Sequence, residues 1–273
     1  MGLHSGEAVI LDVMDLQEYD RIVVFLTRNL GKKRGVANGA RRKYSRFAGQ
    51  LQPLAKVEMT WYEREGRDLV RISSSDLIRA ADPLQATLEG ILLGSYLADQ
   101  ADAFVQENED SELAFRLLDS TLESLLRGCD LDLAARYFEA WVLRLTGLLG
   151  VSEECPSCGR VFSELGADGE PLGAALPSSD ETVLCRECAG QGGLPVTDPS
   201  LAFLRDISRR SLEKMRNEPP GADTLRQMEA ICARIRRTFL QQELKSYRIM
   251  RETLAGLPRE GAPPPTPGPQ HHE

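Results

Sequence analysis

The sequence has little of what most catalytic sites need. Its 273 residues include three histidines, His4 near the start and His271 and His272 at the end, so a Ser-His-Asp or Cys-His site would have to be built from the chain termini. It contains no G-x-x-x-x-G-K-[ST] loop, which argues against a P-loop ATPase. The acidic stretch at residues 107–110 is interpreted as a solvated connection between helices rather than a nuclease site. We therefore predict that the protein is not an enzyme.

Long apolar runs are also missing. No segment approaches the ~20 apolar residues that span a bilayer, and the opening MGLHSGEAVI lacks the basic and apolar regions of a secretory signal. We expect a cytoplasmic protein, in a compartment where thiols stay reduced. The length corresponds to about two domains of ~150 residues.

Acidic residues are absent between Arg21 and Val57, although the whole chain has 41 of them against 33 basic residues, a net charge of −8. That interval holds ten basic residues, which leaves 23 basic and 41 acidic residues elsewhere, a balance of −18. Such asymmetry is typical of a nucleic-acid-binding surface, although a solvated charged face is the alternative. The predicted DNA-binding residues are Arg28, Lys32, Lys33, Arg34, Arg41, Arg42, Lys43 and Arg46, with Tyr44 and Phe47 among them as candidates for stacking on bases.

The first ~80 residues have the pattern of a small β-barrel. Runs rich in β-branched residues occupy positions 7–13 and 21–26, and partial alternation of apolar and polar residues marks positions 54–62 and 68–72. A Glu65-Gly66 turn separates the last two runs. Short strands joined by glycine-bearing turns favour a barrel over a helical domain.

Helical periodicity begins at Asp82-Pro83, where Asp can cap the helix and Pro suits the first helical position. Apolar stripes follow around residues 84–92, 118–125 and 138–148, and they return after Asp198-Pro199. The segment 151–196, rich in Gly, Pro, Ser and Cys, interrupts them. We therefore predict a helical domain at 81–257 with 151–196 inserted into it. The tail at 258–273, with six prolines in 16 residues, is predicted to be disordered.

Four of the six cysteines form two CxxC pairs, Cys155/Cys158 and Cys185/Cys188, separated by 26 residues. Two such pairs complete a tetrahedral shell of four sulfurs, which suits one Zn²⁺ ion. A shell of four thiolates leaves no position for a catalytic water, so the zinc would be structural. A redox role would need a thioredoxin-like βαβ context, and none is visible.

Several motifs together resemble the RecO family of bacterial recombination mediators over roughly residues 5–256. They are GEAVIL at residues 6–11, EYD at 18–20, FLTRNLGKKRGVANGARR at 25–42 and LQPL at 51–54. RYFEAWVLRLTGLLG at 136–150, CPSCG at 155–159, CREC at 185–188 and LKSYR at 244–248 follow in the same order. Asn38 departs from the family, which often has Lys there and thereby gains a phosphate contact.

The resemblance implies an α+β architecture, in which an OB-fold barrel at residues 1–80 precedes a helical domain bearing a four-cysteine zinc finger. It also implies a non-enzymatic role. Members of the family bind single- and double-stranded DNA and anneal complementary strands. They act with RecR, engage the C-terminal tail of the single-stranded DNA-binding protein SSB and help to load RecA, which implies nucleoid association. Two alternatives remain, a zinc-bearing transcription or RNA-binding factor and an unrecognised nuclease.

Overall fold

The computed structural model describes residues 2–107, 109–150, 152–166, 172–177 and 182–256, and it opens with a closed five-stranded barrel. The strands are β1 (Gly2–Leu16), β2 (Asp20–Thr27), β3 (Lys32–Ala37), β4 (Lys56–Glu63) and β5 (Val70–Arg79). Their order is β1-β2-β3-β5-β4, and β4 pairs back onto β1. The β3–β5 pair is parallel, whereas the others are antiparallel. The prediction for the tail at 258–273 lies outside the described residues.

The strand that the sequence pattern did not predict is β3. Half of its six residues are cations, and Gly35 weakens the strand signal further. Gly35 is needed there, because a Cβ at this position would lie 2.8 Å from side-chain atoms of both Val70 and Ile72 on β5. The close approach that lets β3 and β5 pair therefore depends on a residue that sequence rules count against a strand.

The middle of β1 and the second half of β2 are buried on both faces. Ala8 and Ile10 of β1 point into the barrel core, whereas the alternating Val9 and Leu11 pack against the helices. β2 repeats this arrangement. A strand covered on both faces has an unbroken apolar run rather than alternation, which accounts for the AVIL and VVFL segments.

The helices begin just after the barrel ends at Arg79. They are α1 (Asp82–Gln85), α2 (Leu88–Phe104), α3 (Glu112–Leu126), α4 (Leu131–Leu145), α5 (Arg186–Ala189), α6 (Asp198–Asp206), α7 (Leu212–Asn217), α8 (Ala222–Leu240) and α9 (Lys245–Ala255). Between α4 and α6 lie three short strands, β6 (Ala174–Leu176), β7 (Leu184–Cys185) and β8 (Leu194–Val196), in the order β7-β6-β8. None of the helices in the described ranges has the length and apolar character needed to cross a membrane.

Both Asp-Pro pairs lie at helix starts, at α1 and at α6, but the prediction that Asp caps the helix is wrong, because Asp is the first helical residue in each and the caps are Ala81 and Thr197. The first, however, opens a single turn, and Thr87 caps the longer α2 by accepting a hydrogen bond from the backbone of Gly90. The helix containing Trp141 ends at Leu145, before the end of the predicted apolar stripe at 138–148, and Gly147 follows with a positive φ of 76°.

A buried ionic cluster connects three of the helices and the segment before α9. The side chain of Glu139 in α4 is fully buried, and it lies 3.1 Å from Arg136 Nε and 3.5 Å from an Arg236 nitrogen on α8. Tyr96 of α2 donates its hydroxyl to Glu139. Arg236 also donates to Glu243, which precedes α9, at 3.0 Å. Charged residues beside the apolar stripes thus fix how these helices pack, a feature that periodicity does not predict.

Candidate nucleic-acid interface and metal centre

Two of the predicted DNA-binding residues, Lys32 and Lys33 in β3, are each only 7% exposed. Lys32 Nζ lies 2.9 Å from Asp102 Oδ1 on α2 and also donates to the backbone carbonyl of Asp102. Lys33 Nζ lies 2.7 Å from Glu63 Oε1 at the end of β4. Burial raises the pKa of Glu63, but hydrogen bonds from Lys33 and Trp61 outweigh it and lower the pKa below its usual range. A DNA phosphate would reach these lysines only if both ion pairs opened.

Other cations of the barrel are also neutralised. Arg34 Nε lies 3.2 Å from Glu107, which follows α2. Asp119 of α3 receives Lys56 Nζ at 2.9 Å and an Arg79 nitrogen at 2.7 Å, one on each carboxylate oxygen. Carboxylates of the helical domain thus join the barrel to the helices at several points.

Arg28 pairs within the barrel, with Glu7 of β1. The hydrogen bond from Arg28 lowers the pKa of Glu7. The guanidinium of Arg28 also lies 4.8 Å from the ring centroid of Phe115 on α3. Arg28 is about one-third exposed, so it retains a face toward solvent.

The remaining predicted residues lie in residues 38–47, here named the basic loop. Its cations Arg41, Arg42, Lys43 and Arg46 are all exposed. Arg41 Nε lies 3.5 Å from Asp15 Oδ2, whereas no carboxylate in the described part of the chain lies within ion-pair distance of the other three. The acid-free stretch of sequence thus contains two kinds of cation, those held by carboxylates from elsewhere and those open to solvent.

The basic loop is fixed to the barrel at both ends. Asp20 accepts a hydrogen bond from the backbone N–H of Gly39 at 2.7 Å, and Gly39 has a positive φ of 71°. Near the other end, Phe47 is 2% exposed and fills the barrel core beside Leu51. The expectation that Phe47 stacks on bases is therefore wrong in this conformation. Tyr44 is 91% exposed, with Lys43 Nζ 5.7 Å from its ring centroid, so most of the ring remains accessible to a base.

Three arginines that the sequence analysis missed, Arg64, Arg67 and Arg71, lie beside the basic loop. They belong to the β4–β5 turn and to the start of β5. Glu65 and Asp68 are interspersed among them, so a count of charge along the sequence gives no signal. Only the pairing of β3 with β5 brings these arginines to Asn38.

The four cysteines of the two CxxC pairs come together, as their spacing predicts. Their sulfurs all lie within 4.8 Å of one another, and the Sγ atoms of Cys158 and Cys185 are 3.8 Å apart. A tetrahedral shell with ~2.3 Å metal–sulfur bonds has edges of about 3.8 Å, so these residues fit a single metal ion. Within the described residues, Cys129 and Cys232 stand apart from this group, and both are buried.

Backbone N–H groups surround the sulfurs. Burial raises the pKa of Cys155, but donors that include the N–H groups of Cys185 and Cys158 more than offset this and lower it to about 6. The N–H of Arg160 lowers the pKa of Cys158. The thiolate is the form that binds a metal, and the surroundings of Cys155 and Cys158 favour it. Burial and the neighbouring thiols raise the pKa of Cys185 to about 12, and the pKa of Cys188 is raised as well. The chain turns sharply after each pair, through Gly159 with a φ of 74° and Gly190 with a φ of 69°.

The metal-binding segment is not an isolated loop. Its side chains Phe162, Leu176 and Val196 join the core of the helical domain. On α8, Arg234 donates to the carbonyl of Leu176 at 3.3 Å, and Gln227 donates to that of Pro195 at 3.2 Å. The segment at 151–196 is therefore packed against the helices on both sides of it in the sequence.

Both halves of the chain match models of the same protein family. Residues 1–81 match the family model for the recombination protein O N-terminal domain, and residues 85–248 match that for its C-terminal domain. The DNA repair protein RecO of Geobacter metallireducens is 35% identical over 198 residues, which cover 72% of this chain and 77% of the relative. The protein of the same name from Roseiflexus is 30% identical over 251 residues, which cover 91% of this chain and 85% of the relative.

Proposed function

The chain belongs to the recombination protein O family, and from this premise we propose that it is a DNA-binding mediator of recombination in DNA repair, without catalytic activity of its own. Relatives that match most of the chain are named DNA repair proteins. Their names favour this role over that of a transcription or RNA-binding factor. The protein binds single- and double-stranded DNA and anneals complementary strands. With RecR, it helps to load RecA on DNA coated by SSB, whose C-terminal tail it contacts. It works in the cytoplasm, associated with the nucleoid.

The barrel is the DNA-binding module in this proposal, and we assign it to the OB-fold class. A five-stranded barrel with strand order β1-β2-β3-β5-β4 supports that assignment. OB-folds bind nucleic acids through a basic groove with aromatic side chains, and the exposed Tyr44 lies among cations of the basic loop.

One observation carries the proposal. Arg42, Lys43 and Arg46 are exposed, and no carboxylate of the described residues pairs with them, while the neighbouring cations of β3 are neutralised. Cations without a carboxylate partner, on a loop fixed to the barrel at both ends, attract phosphates without reading sequence. Phosphate contacts through Lys32, Lys33, Arg34 and Arg28 remain part of the proposal only if the DNA displaces their carboxylate partners.

The four cysteines hold one structural Zn²⁺ in this proposal. The distances between the sulfurs suit a tetrahedral thiolate shell, and so do the backbone N–H groups that donate to them. Zinc would keep the short strands β6, β7 and β8 folded against α8. A shell closed by four protein ligands supplies no chemistry to a substrate.

The test is annealing of complementary strands coated with SSB. The wild-type protein should accelerate annealing, and the variant Arg42→Gln/Lys43→Gln/Arg46→Gln should lose most of that activity. The matched control Arg116→Gln/Arg237→Gln/Arg248→Gln removes three exposed cations of the helical domain and should retain it. Absence of annealing by the wild type would contradict the proposal, as would magnesium-dependent cleavage of the strands by the purified protein or a clear preference for RNA.

A further inference from the structure

A small pocket lies where the barrel closes, on the outer surface of β3, β4 and β5. Its volume is about 180 Å³, and it is lined by Asn38, Tyr62, Arg64, Arg67, Leu69 and Arg71. Strand register creates it, because Arg71 is the pairing partner of Val36 on β3 and of Tyr62 on β4. The end of β3 and the β4–β5 turn thereby meet, although they are far apart in sequence.

The pocket concentrates positive charge. Arg64, Arg67 and Arg71 are all exposed, and within the described ranges no carboxylate lies within ion-pair distance of any of them. The two acidic residues of the same turn, Glu65 and Asp68, do not line the pocket. Three arginines line one small space, and their like charges repel one another unless an anion enters. The pocket therefore favours an anionic ligand.

From this geometry we infer that the pocket binds a single phosphate group of a nucleic-acid backbone. The inference rests on the proposed DNA-binding function and names a specific subsite for it. Arginine forks match phosphate oxygens in paired hydrogen bonds, and the amide of Asn38 supplies a further donor. The volume is well below the ~300–1,000 Å³ of pockets for drug-sized ligands, so it suits one phosphate rather than a whole nucleotide.

The position of the pocket also sets the path of the strand. Asn38 is the first residue of the basic loop. A DNA strand with one phosphate in the pocket therefore places its next phosphates near Arg42 and Arg46. The strand crosses the closure between β3 and β5 and continues over the basic loop. It avoids the side of β3 where Lys32 meets the helices.

The experiment compares Arg64→Gln/Arg67→Gln/Arg71→Gln with the helical-domain control Arg116→Gln/Arg237→Gln/Arg248→Gln, which removes the same charge. Affinity for a 20-nucleotide oligo-dT and for an abasic strand of equal length is measured by fluorescence anisotropy over a salt series. The pocket variant should bind both strands about tenfold more weakly, as expected for a lost charge-assisted contact. Its salt slope on single strands should fall by about 0.7, the value for one phosphate. The control should stay within about twofold of the wild type.

The outcomes distinguish binding of one phosphate from the other modes of binding. Wild-type affinity and slope in the pocket variant would overturn the phosphate site while leaving DNA binding by the protein intact. A loss confined to oligo-dT would replace phosphate binding with base recognition, and a slope change of about 2 would mean three separate phosphates. If the wild type bound neither strand, the proposed function would fail as well. Should the triple variant misfold, the single variant Arg67→Gln, in an exposed turn, must still show weaker binding to both strands.

Discussion

The ammonium group of Lys32 in β3 lies 2.9 Å from a carboxylate oxygen of Asp102 in α2. A lysine from an acid-free basic run is thus paired with an acid from 70 residues further along the chain. The pair joins the barrel to the helical domain. Charge that is unbalanced along the sequence is balanced at this point in space.

This relationship predicts that Lys32 contributes to stability more than to DNA binding. Lys32→Gln should lower the free energy of unfolding by about 1–2 kcal/mol, between the values for exposed and fully buried ion pairs, because Asp102 is one-third exposed. Affinity for single-stranded DNA should change by less than about twofold. Urea denaturation and anisotropy measure the two effects. Lys43→Gln, at an exposed position of the basic loop, should weaken DNA binding and leave the free energy of unfolding nearly unchanged. Equal losses of affinity in the two variants would contradict the assignment of Lys32 to stability.

Metal binding predicts one zinc per chain. Cys158→Ser should release it, whereas Cys129→Ser, at a cysteine outside the sulfur cluster, should retain it. Because Phe162 and Leu176 belong to the helical core, hydrogen exchange should speed up in α8 as well as in β6 and β8. Elemental analysis and hydrogen exchange test these points. Protein purified without chelators that contains no zinc would disprove the prediction.

The lowered pKa of Glu63 predicts a specific acid dependence. Its folded-state pKa lies below 4.5, so its ion pair with Lys33 stabilises the protein fully above that pH and is lost as the pH falls through the folded-state value. Glu63→Gln should therefore lose stability at pH 7, by no more than about 1 kcal/mol for a side chain one-third exposed, and differ less from wild type at pH 3. Urea midpoints at both pH values test this. Glu65→Gln, in the neighbouring turn, is the control. A loss of stability by Glu63→Gln that is larger at pH 3 than at pH 7 would contradict the prediction.

The buried cluster around Glu139 predicts a large loss of stability when that carboxylate is removed. Glu139→Ala leaves Arg136 and Arg236 buried with fewer partners and should cost about 3–5 kcal/mol. Glu123→Ala breaks an exposed pair between α3 and Arg127, the residue that follows it, and should cost about 0.5 kcal/mol or less. Equilibrium unfolding in urea compares them. Similar losses in the two variants would show that the cluster contributes little.

Local rules on sequence predicted a good part of the fold. Apolar runs located four of the five barrel strands, the Asp-Pro pairs opened α1 and α6, and CxxC spacing brought the four cysteines together. The strands and helix starts depend on residues close in sequence. The spacing of the cysteines follows from the geometry that a tetrahedral metal site requires.

What could not be predicted depends on long-range pairing. β3 forms because Gly35 lets β5 approach, and the same pairing assembles the arginine pocket. Lys32 and Lys33 are buried because Asp102 and Glu63 reach them from other elements. No count of charge along the chain distinguishes such lysines from Arg42 or Lys43.

The central claim, that the exposed cations of the basic loop bind the DNA backbone, is tested most directly by the salt dependence of single-stranded DNA affinity. Each phosphate contact contributes about 0.7 to the slope of log affinity against log salt on single strands. For Arg42→Gln/Lys43→Gln/Arg46→Gln the slope should therefore fall by about 2, with the thermal midpoint unchanged. A slope equal to that of the wild type, in a variant that is folded, would place the DNA elsewhere on the protein.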